Sequence, residues 1–396
     1  MMSKYKKKIL ALSSIRSDYD LMSGLYRLLA SDSEIDFRVL VSGAHLSRSY
    51  GLSVTHIRSD GLKILAEIES LIDGDSISSR LKTASILLQC AIDIVANWAP
   101  DLILYAGDRE DVLIGAMLGV YLGIPTVHFF GGDHEKDGHS DTMVRHAASK
   151  LSTAHVVSIE EHRNRLIAIG ETPERIFVAG SVALDKFIDH QCASISSMQD
   201  IFRSEKQLDG YALVIFHPVD CEKDDAGRQF ECILQSLEAK GIPACISYPN
   251  TDPGNHMIIN VIRSYENHKC FWFYKNLDRD VFLSVYKNAR FLIGNSSSGI
   301  QEAASIPLGV INVGLRQKGR YCGQNVIFCD PDRLSVEMAI DTILSPNFNE
   351  ILSKTINPYG NGRSCHKSYK YLKETDFWQM RLKIEDPLDV SKISIV

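Results

Sequence analysis

Short apolar runs alternate with longer segments of helical periodicity along the first part of the chain. The runs KKILAL, DFRVLVSG, DLILYAG, IPTVHFF and AHVVSI predict buried strands. The segments between them predict helices, most clearly LMSGLYRLLAS, SRLKTASILLQCAIDIVANWA and DVLIGAMLGVYLG. This alternation is typical of an open parallel sheet covered by helices.

The alternation restarts after RIFVAGS. A second set of strands is predicted at YALVIFHP, GIPACISYP, CFWFYKN, RFLIGN and PLGVINVG, with helices such as GRQFECILQSLEAKG and RDVFLSVYKNA between them. Each series has the size of a domain, so the sequence predicts an α/β protein of two Rossmann-like domains facing across a cleft. The last helical segment, SCHKSYKYLKETDFWQMRL, follows the turn cluster NPYGNG and is expected to pack back on one of the two domains.

Composition narrows the class of protein. The 396 residues are 45% hydrophobic with a net charge of −6, which suits a globular chain of two or three domains and disfavours nucleic acid as a partner. No apolar run reaches the roughly 18 to 20 residues of a membrane helix. The nine cysteines form no C-x-x-C pair, so we expect a reduced, cytoplasmic setting. We also expect no metal and no cofactor.

Polar residues follow successive strands of the first predicted domain. Arg16 and Asp18 follow the first strand, His45 follows the second, and Asp108 and Arg109 follow the third, in GDRED. The loop GGDHEKDGHSD follows the fourth and matches no metal-binding motif. Ligands of doubly wound sheets bind at the carboxyl ends of the strands. One polar residue at one such end often only caps a helix, but four successive ends predict a site.

The second predicted domain repeats this arrangement. His217 directly follows a strand, in IFHPVD, and Asn250 follows the next, although a lone histidine is often structural. In GNSSSGIQEAA, a strand leads through a Gly/Ser turn into a helix, where backbone N–H groups and hydroxyls favour a phosphate over a plain N-cap turn. Glu302 lies early in this helix, within reach of a ribose diol, and Arg316 ends the last strand.

Three arginines could surround a diphosphate with fixed positive charge: Arg16, Arg109 and Arg316. With Glu302 on the ribose, the residues predict a nucleotide-sugar site in the cleft between the domains.

A set of motifs in a fixed order resembles the hydrolysing UDP-N-acetylglucosamine 2-epimerases over nearly the whole chain. They are RSDYD, SGAHL, GDR, the His-x-x-Gly-Gly loop, DTMVRHAASKLS, HPV, YPN, GNSSSGIQE, GLRQKGR and NPYGNG. The resemblance implies a GT-B-like pair of domains at residues 1–180 plus 362–396 and 181–361. The C-terminal helix would cross back to the N-terminal domain.

The resemblance also implies roles for individual residues. UDP contacts are expected at Arg16, Arg109, His217, Asn250, Ser296, Ser297, Glu302 and Arg316. Catalytic roles are expected at Asp108, Asp141 and His217, and sugar contacts at Asp18, His45, Asp133 and His146. Phe130 stands before the Gly-Gly pair where many relatives have a Glu, so Asp133 is a candidate for the missing carboxylate.

The implied reaction is loss of UDP with removal of the proton at C2, followed by addition of water to the resulting glycal. The expected product is a free 2-epimeric sugar for a nonulosonic acid, formed by a homodimer or homotetramer. UDP-N-acetylglucosamine is the first substrate expected, and UDP-2,4-diacetamido-2,4,6-trideoxyglucose is the alternative. There are three rival functions: a non-hydrolysing epimerase, a GT-B glycosyltransferase and a non-catalytic UDP-sugar sensor. The motif GDR, in place of GDT, disfavours the non-hydrolysing epimerase.

Overall fold

The computed structural model describes residues 5–74, 77–136, 140–188, 209–250, 252–275 and 277–385. The chain forms two compact units. Unit 1 comprises Met1–Asp133, Ser140–Asp185 and Gly362–Val396. Unit 2 comprises His134–His139 and Lys186–Asn361.

The strands are short and mostly buried. They are β1 Lys7–Ser13, β2 Ile35–Ser42, β3 Ile64–Ile68, β4 Leu102–Ala106, β5 Thr126–Phe129, β6 Ala154–Val157, β7 Ile176–Val178, β8 Ala212–Ile215, β9 Ala244–Ser247, β10 Phe271–Tyr274, β11 Phe291–Gly294, β12 Val310–Val313 and β13 Val326–Cys329.

The helices alternate with the strands. They are α1 Arg16–Ser31, α2 Val54–Ser59, α3 Ile77–Trp98, α4 Glu110–Leu122, α5 Ser140–Leu151, α6 Glu160–Ala168, α7 Ala226–Ala239, α8 Asn255–Ser264, α9 Arg279–Asn288, α10 Ser297–Gln301, α11 Arg333–Ile343, α12 Pro346–Lys354, α13 Ser364–Glu374 and α14 Phe377–Met380. No helix of the described segments is long and apolar enough to cross a membrane.

Both sheets are parallel and doubly wound. In unit 1 the strand order is β3-β2-β1-β4-β5-β6-β7, and in unit 2 it is β10-β9-β8-β11-β12-β13. In each unit the order reverses beside the first strand, between β1 and β4 and between β8 and β11. Ligands of such sheets bind in the crevice at this switch point, so a ligand site is expected at each of the two reversals.

The central strands are apolar on both faces because helices cover both sides of a parallel sheet. Every residue of β4, β8, β11 and β12 is buried. At the end of β11, Gly294 has φ +143°, and a Cβ there would clash with the carbonyl of Ile215 in β8. Glycine therefore allows these two backbones to approach at the switch point of unit 2.

The C-terminal segment packs within unit 1. Lys7 in β1 donates to the carbonyl of Leu372 in α13 at 2.7 Å, and Lys373 pairs with Asp32 at 2.6 Å. The carboxylate of Asp185 accepts the first backbone N–H groups of α13, from Ser364 and Cys365. These bonds fix the end of the chain against the first sheet.

The predicted α/β class, with two parallel sheets, is confirmed. The pattern of the sequence predicted no strand at β3, β7 or β13, which lie at the edges of their sheets. Their side chains are mostly half-buried. Glu67 interrupts the apolar run of β3, and β7 and β13 are only three and four residues long. Helix α1 begins at Arg16, five residues before the apolar segment that predicted it. The prediction began too late because the first turn of this helix is polar.

Candidate active site

Charged residues follow the two strands that flank the switch point of unit 1. Helix α1 begins at Arg16 directly after β1, and Arg109 is the N-cap of α4 after β4. Asp18 and Asp111 lie in the first turns of these two helices. The fold therefore brings the predicted residues Asp18 and Arg109 together, and adds Asp111, which the sequence analysis did not select.

Asp18 and Asp111 form a carboxyl pair. Burial raises the pKa of Asp18 well above its usual range, the negative charge of Asp111 raises it further, and Arg109 opposes the shift. Burial, followed by the charge of Glu110, raises the pKa of Asp111 to about 6. One oxygen of each carboxyl group is buried and has no hydrogen-bond partner among the described residues. The pair therefore retains a proton at weakly acidic pH.

Arg145 of α5 connects two further acidic residues. It is 4% exposed, donates to Asp108 after β4, and lies 3.4 Å from Asp133 in the Gly-Gly loop. Asp133 is also 3.5 Å from Nε2 of His162. Arg145 lies within DTMVRHAASKLS, and no role was predicted for it. Its spacing of four residues from Asp141 predicts an ion pair with Asp141 and gives no sign of Asp108 or Asp133.

Asp141, a predicted catalytic residue, takes part in a separate ion-pair group. Arg80 of α3 donates to Asp141 at 3.0 Å and to Glu110 at 2.8 Å. The side chain of Asp141 is 14% exposed. One guanidinium thus joins the starts of α4 and α5, and Asp141 is an ion-pair partner as well as a candidate acid or base.

The Gly-Gly loop is held in a strained conformation. Phe130 has φ +64°, which is rare for a residue with a side chain, and a Cβ on Gly132 would clash with the carbonyl of His162.

Burial lowers the pKa of His128 to about 3, so its ring is neutral. The ring contacts the carbonyl of Gly107 at 2.9 Å and the hydroxyl of Ser149 at 3.0 Å. His128 therefore ties the GDR loop to α5.

The remaining residues predicted in unit 1 differ in their surroundings. His45 is fully buried, and serine hydroxyls engage both ring nitrogens, Ser13 at 2.9 Å and Ser53 at 2.8 Å. We therefore leave His45 out of the proposed ligand contacts. Arg16 pairs with Asp20 at 3.3 Å, and His146 is half-buried on α5. Residues 137–139 of the GGDHEKDGHSD loop lie outside the described residues.

His217 and Asn295 meet at the switch point of unit 2. The side chain of Asn295, after β11, accepts the N–H of His217 at 2.8 Å and donates to its carbonyl at 2.8 Å. Nδ1 of His217 accepts the backbone N–H of Asn250 at 3.1 Å. The predicted residues His217 and Asn250 are therefore in contact, and Asn295 is a buried partner that the sequence analysis did not select.

A buried chain of hydrogen bonds continues from Asn295. Gln317 donates to the carbonyl of Asn295 at 3.1 Å, and Arg320 donates to Gln317 at 2.6 Å. Glu135 pairs with Arg320 at 2.8 Å. Arg316, predicted to bind the diphosphate, directly precedes Gln317 and is half-buried. The motif GLRQKGR thus contributes Gln317, a partner of Asn295, in addition to the predicted arginine.

The Gly/Ser turn after β11 begins a short helix. The hydroxyl of Ser296 caps α10 by accepting the N–H of Ser298 at 3.3 Å, and Ser297 is the first residue of the helix. Glu302 follows its last residue, is 4% exposed, and pairs with Lys186 at 3.0 Å. Ser296 therefore has a capping role beside its predicted contact with UDP.

The comparison with protein families agrees with these motifs. The family described as UDP-N-acetylglucosamine 2-epimerase matches residues 27–373. The chain belongs to this family. It is 35% identical over 374 residues to the UDP-N,N'-diacetylbacillosamine 2-epimerase (hydrolyzing) of Legionella pneumophila, covering 93% of this chain and 96% of that protein.

A second relative comes from Campylobacter jejuni. This GDP/UDP-N,N'-diacetylbacillosamine 2-epimerase (hydrolyzing) is 30% identical over 349 residues, covering 87% of this chain and 89% of that protein. Among solved structures, Neisseria meningitidis UDP-GlcNAc 2-epimerase bound to UDP-GlcNAc matches with a TM-score of 0.79 and 15% identity, covering 93% of this chain and all of that chain. The predicted family and the GT-B-like fold class are confirmed, and the roles of individual residues remain predictions.

Proposed function

We propose that the protein is a hydrolysing 2-epimerase that acts on UDP-N,N'-diacetylbacillosamine, which is UDP-2,4-diacetamido-2,4,6-trideoxyglucose. The observation that supports this choice is the 35% identity, over nearly both full lengths, to a relative named for this reaction. The substrate that the sequence analysis gave as the alternative is thus favoured over UDP-N-acetylglucosamine. The latter remains the second candidate, supported by the family description.

The cationic and amide groups are assigned to the nucleotide. In unit 2, His217, Asn250, Arg316 and the turn at Ser296 and Ser297 would contact UDP. Breaking the bond between C1 and oxygen transfers an electron pair to the diphosphate, where negative charge develops. Donors fixed in place before the reaction stabilise this charge, and one such donor commonly contributes about 3 kcal/mol.

The carboxylates of unit 1 are assigned to the proton transfers. As C1 loses the diphosphate, C2 loses its proton to Asp108, and a C1–C2 double bond forms. Water then adds its hydroxyl to C1, and a proton reaches C2 from the other face, which inverts the configuration and gives the free sugar. Asp133 and Asp141 are the further carboxyl groups proposed for this second transfer, and the product would supply nonulosonic acid synthesis.

Steady-state kinetics with the two UDP-sugars tests the substrate. UDP release would be followed with UDP-N,N'-diacetylbacillosamine and with UDP-N-acetylglucosamine, at equal enzyme concentration. We expect kcat/KM to be at least about 10-fold higher for the diacetamido sugar, since a site built to hydrogen-bond one substituent discriminates against a substrate that lacks it. A preference for UDP-N-acetylglucosamine would overturn the choice of substrate, and UDP binding without release from either sugar would favour the sensor.

A further inference from the structure

We propose that His217 is held as a neutral imidazole with its proton on Nε2, and that it serves as a hydrogen-bond donor to the departing diphosphate. It would not act as an acid or base toward the sugar. The ligand in this inference rests on the proposed function, whereas the protonation state of the ring can be tested without turnover.

The contact with Asn250 determines the tautomer. The backbone N–H of Asn250 points at Nδ1 of His217 over 3.1 Å. A backbone amide nitrogen can only donate, so Nδ1 must present its lone pair, and in a neutral ring the hydrogen is then on Nε2. Protonation of Nδ1 would place two N–H hydrogens against each other and break this bond. The imidazolium form is therefore disfavoured by geometry.

The backbone of His217 is equally fixed. Asn295 is 1% exposed and binds both the N–H and the carbonyl of His217, each at 2.8 Å. The main-chain carbonyl of Asn295 in turn accepts from Gln317. The side-chain oxygen of Gln317 accepts from Arg320, which pairs with Glu135. Asn295 is thus a positioning residue that sets the direction of the imidazole ring.

Asn250 is itself restrained. Its side-chain amide donates to the carboxylate of Asp252 at 2.5 Å, and its side-chain oxygen accepts the N–H of Asp252 at 3.2 Å. These two bonds fix the turn that presents the Asn250 N–H to the ring. A neutral donor held in this way stabilises charge on the leaving group and needs no proton to be restored between turnovers.

Nitrogen NMR of the full-length protein labelled with 15N-histidine tests the protonation state at neutral pH, with and without UDP. We expect His217 to show one protonated nitrogen at Nε2 and one unprotonated nitrogen at Nδ1 in both samples. A proton on Nδ1, or on both nitrogens, would overturn the inference. Because this readout needs no turnover, an inactive protein would count against the proposed function alone.

Two substitutions of His217 test separately the roles of its ring nitrogens Nε2 and Nδ1. The amide nitrogen of Gln lies near the position of Nε2, and the amide of Asn lies near that of Nδ1. We expect His217→Gln to retain kcat within about 10-fold, and His217→Asn to lose about 100-fold, the usual effect of removing one such donor. Equal activity of the two variants, or better activity of His217→Asn, would contradict a donor at Nε2.

The positioning role of Asn295 has its own readout. Asn295→Ala should shift the nitrogen signals of His217 and lower kcat more than UDP affinity. Asn325→Ala is the matched control, since Asn325 is also fully buried in unit 2 but donates to the carbonyl of Leu308. Unchanged His217 signals in Asn295→Ala would overturn the role of Asn295.

Discussion

Asp108 and Arg145 form an ion pair that joins the loop after β4 to helix α5. The same guanidinium lies 3.4 Å from Asp133, which follows the neighbouring strand β5. A single buried arginine therefore orients two candidate carboxylates at adjacent strand ends. Removing one partner of such a group leaves uncompensated buried charge, which typically costs 3–5 kcal/mol.

Arg145→Met should reduce kcat by at least about 100-fold and lower the melting temperature, because Asp108 and Asp133 lose their shared partner. Arg145→Lys should recover part of the stability but less of the activity, since the compact ammonium keeps the charge but lacks the planar, rigid fork of donors that a guanidinium presents. Steady-state kinetics and thermal unfolding measure both effects.

Arg165→Ala is the control for Arg145. Arg165 donates to the carbonyl of Gly132 in the same loop at 2.6 Å and pairs with Glu161, one helical turn away. This variant loosens the loop but leaves the ion pair of Asp108 in place. If Arg145→Met and Arg165→Ala lost activity equally, the assigned role of Arg145 would be wrong.

The carboxyl pair predicts a pH dependence of stability. The pKa of Asp111 is about 6 in the folded protein and about 3.9 in an unfolded chain. Between these values the folded state binds a proton that the unfolded state has released, so stability falls as pH rises from about 4 to 6. Asp111→Asn removes this contribution, on the order of 3 kcal/mol.

Urea unfolding at several pH values checks the effect of Asp111→Asn. The variant should lose less stability than the parent protein between about pH 4 and 6. Part of the slope should remain, because the pKa of Asp18 is raised in the same direction. An identical slope in the two proteins would show that Asp111 titrates normally.

Glu302→Gln should weaken UDP binding about 10-fold, since the carboxylate is assigned to the ribose diol. Calorimetry with UDP and with 2′-deoxy-UDP separates this role from the ion pair with Lys186. The substitution should reduce the affinity for UDP much more than the affinity for 2′-deoxy-UDP. Equal losses for both nucleotides would assign Glu302 a structural role alone.

The sequence predicted the central strands, because each is a continuous apolar run, and it predicted which strand ends carry polar residues. His217 and Asn250 illustrate the success: each follows its strand, and the structure brings them into contact. The edge strands β3, β7 and β13 were missed because Glu67 interrupts the first and the other two are only three and four residues long.

The sequence did not predict which side chains from different helices and strands contact each other. Asn295 was visible in GNSSSG, and Arg145 in DTMVRHAASKLS, but neither motif shows what the side chain contacts. Asn295 contacts a residue 78 positions away, and Arg145 contacts one 37 positions away. For His45 the family resemblance implies a sugar contact, which stays a prediction; the structure adds that both ring nitrogens contact serine hydroxyls.

The reaction in deuterium oxide with UDP-N,N'-diacetylbacillosamine, followed by phosphorus and proton NMR, tests the central claim most directly. A hydrolysing 2-epimerase releases free UDP together with a free 2-epimeric sugar that carries deuterium at C2. Retention of the C2 proton in the product, or an epimerised sugar still attached to UDP, would contradict it.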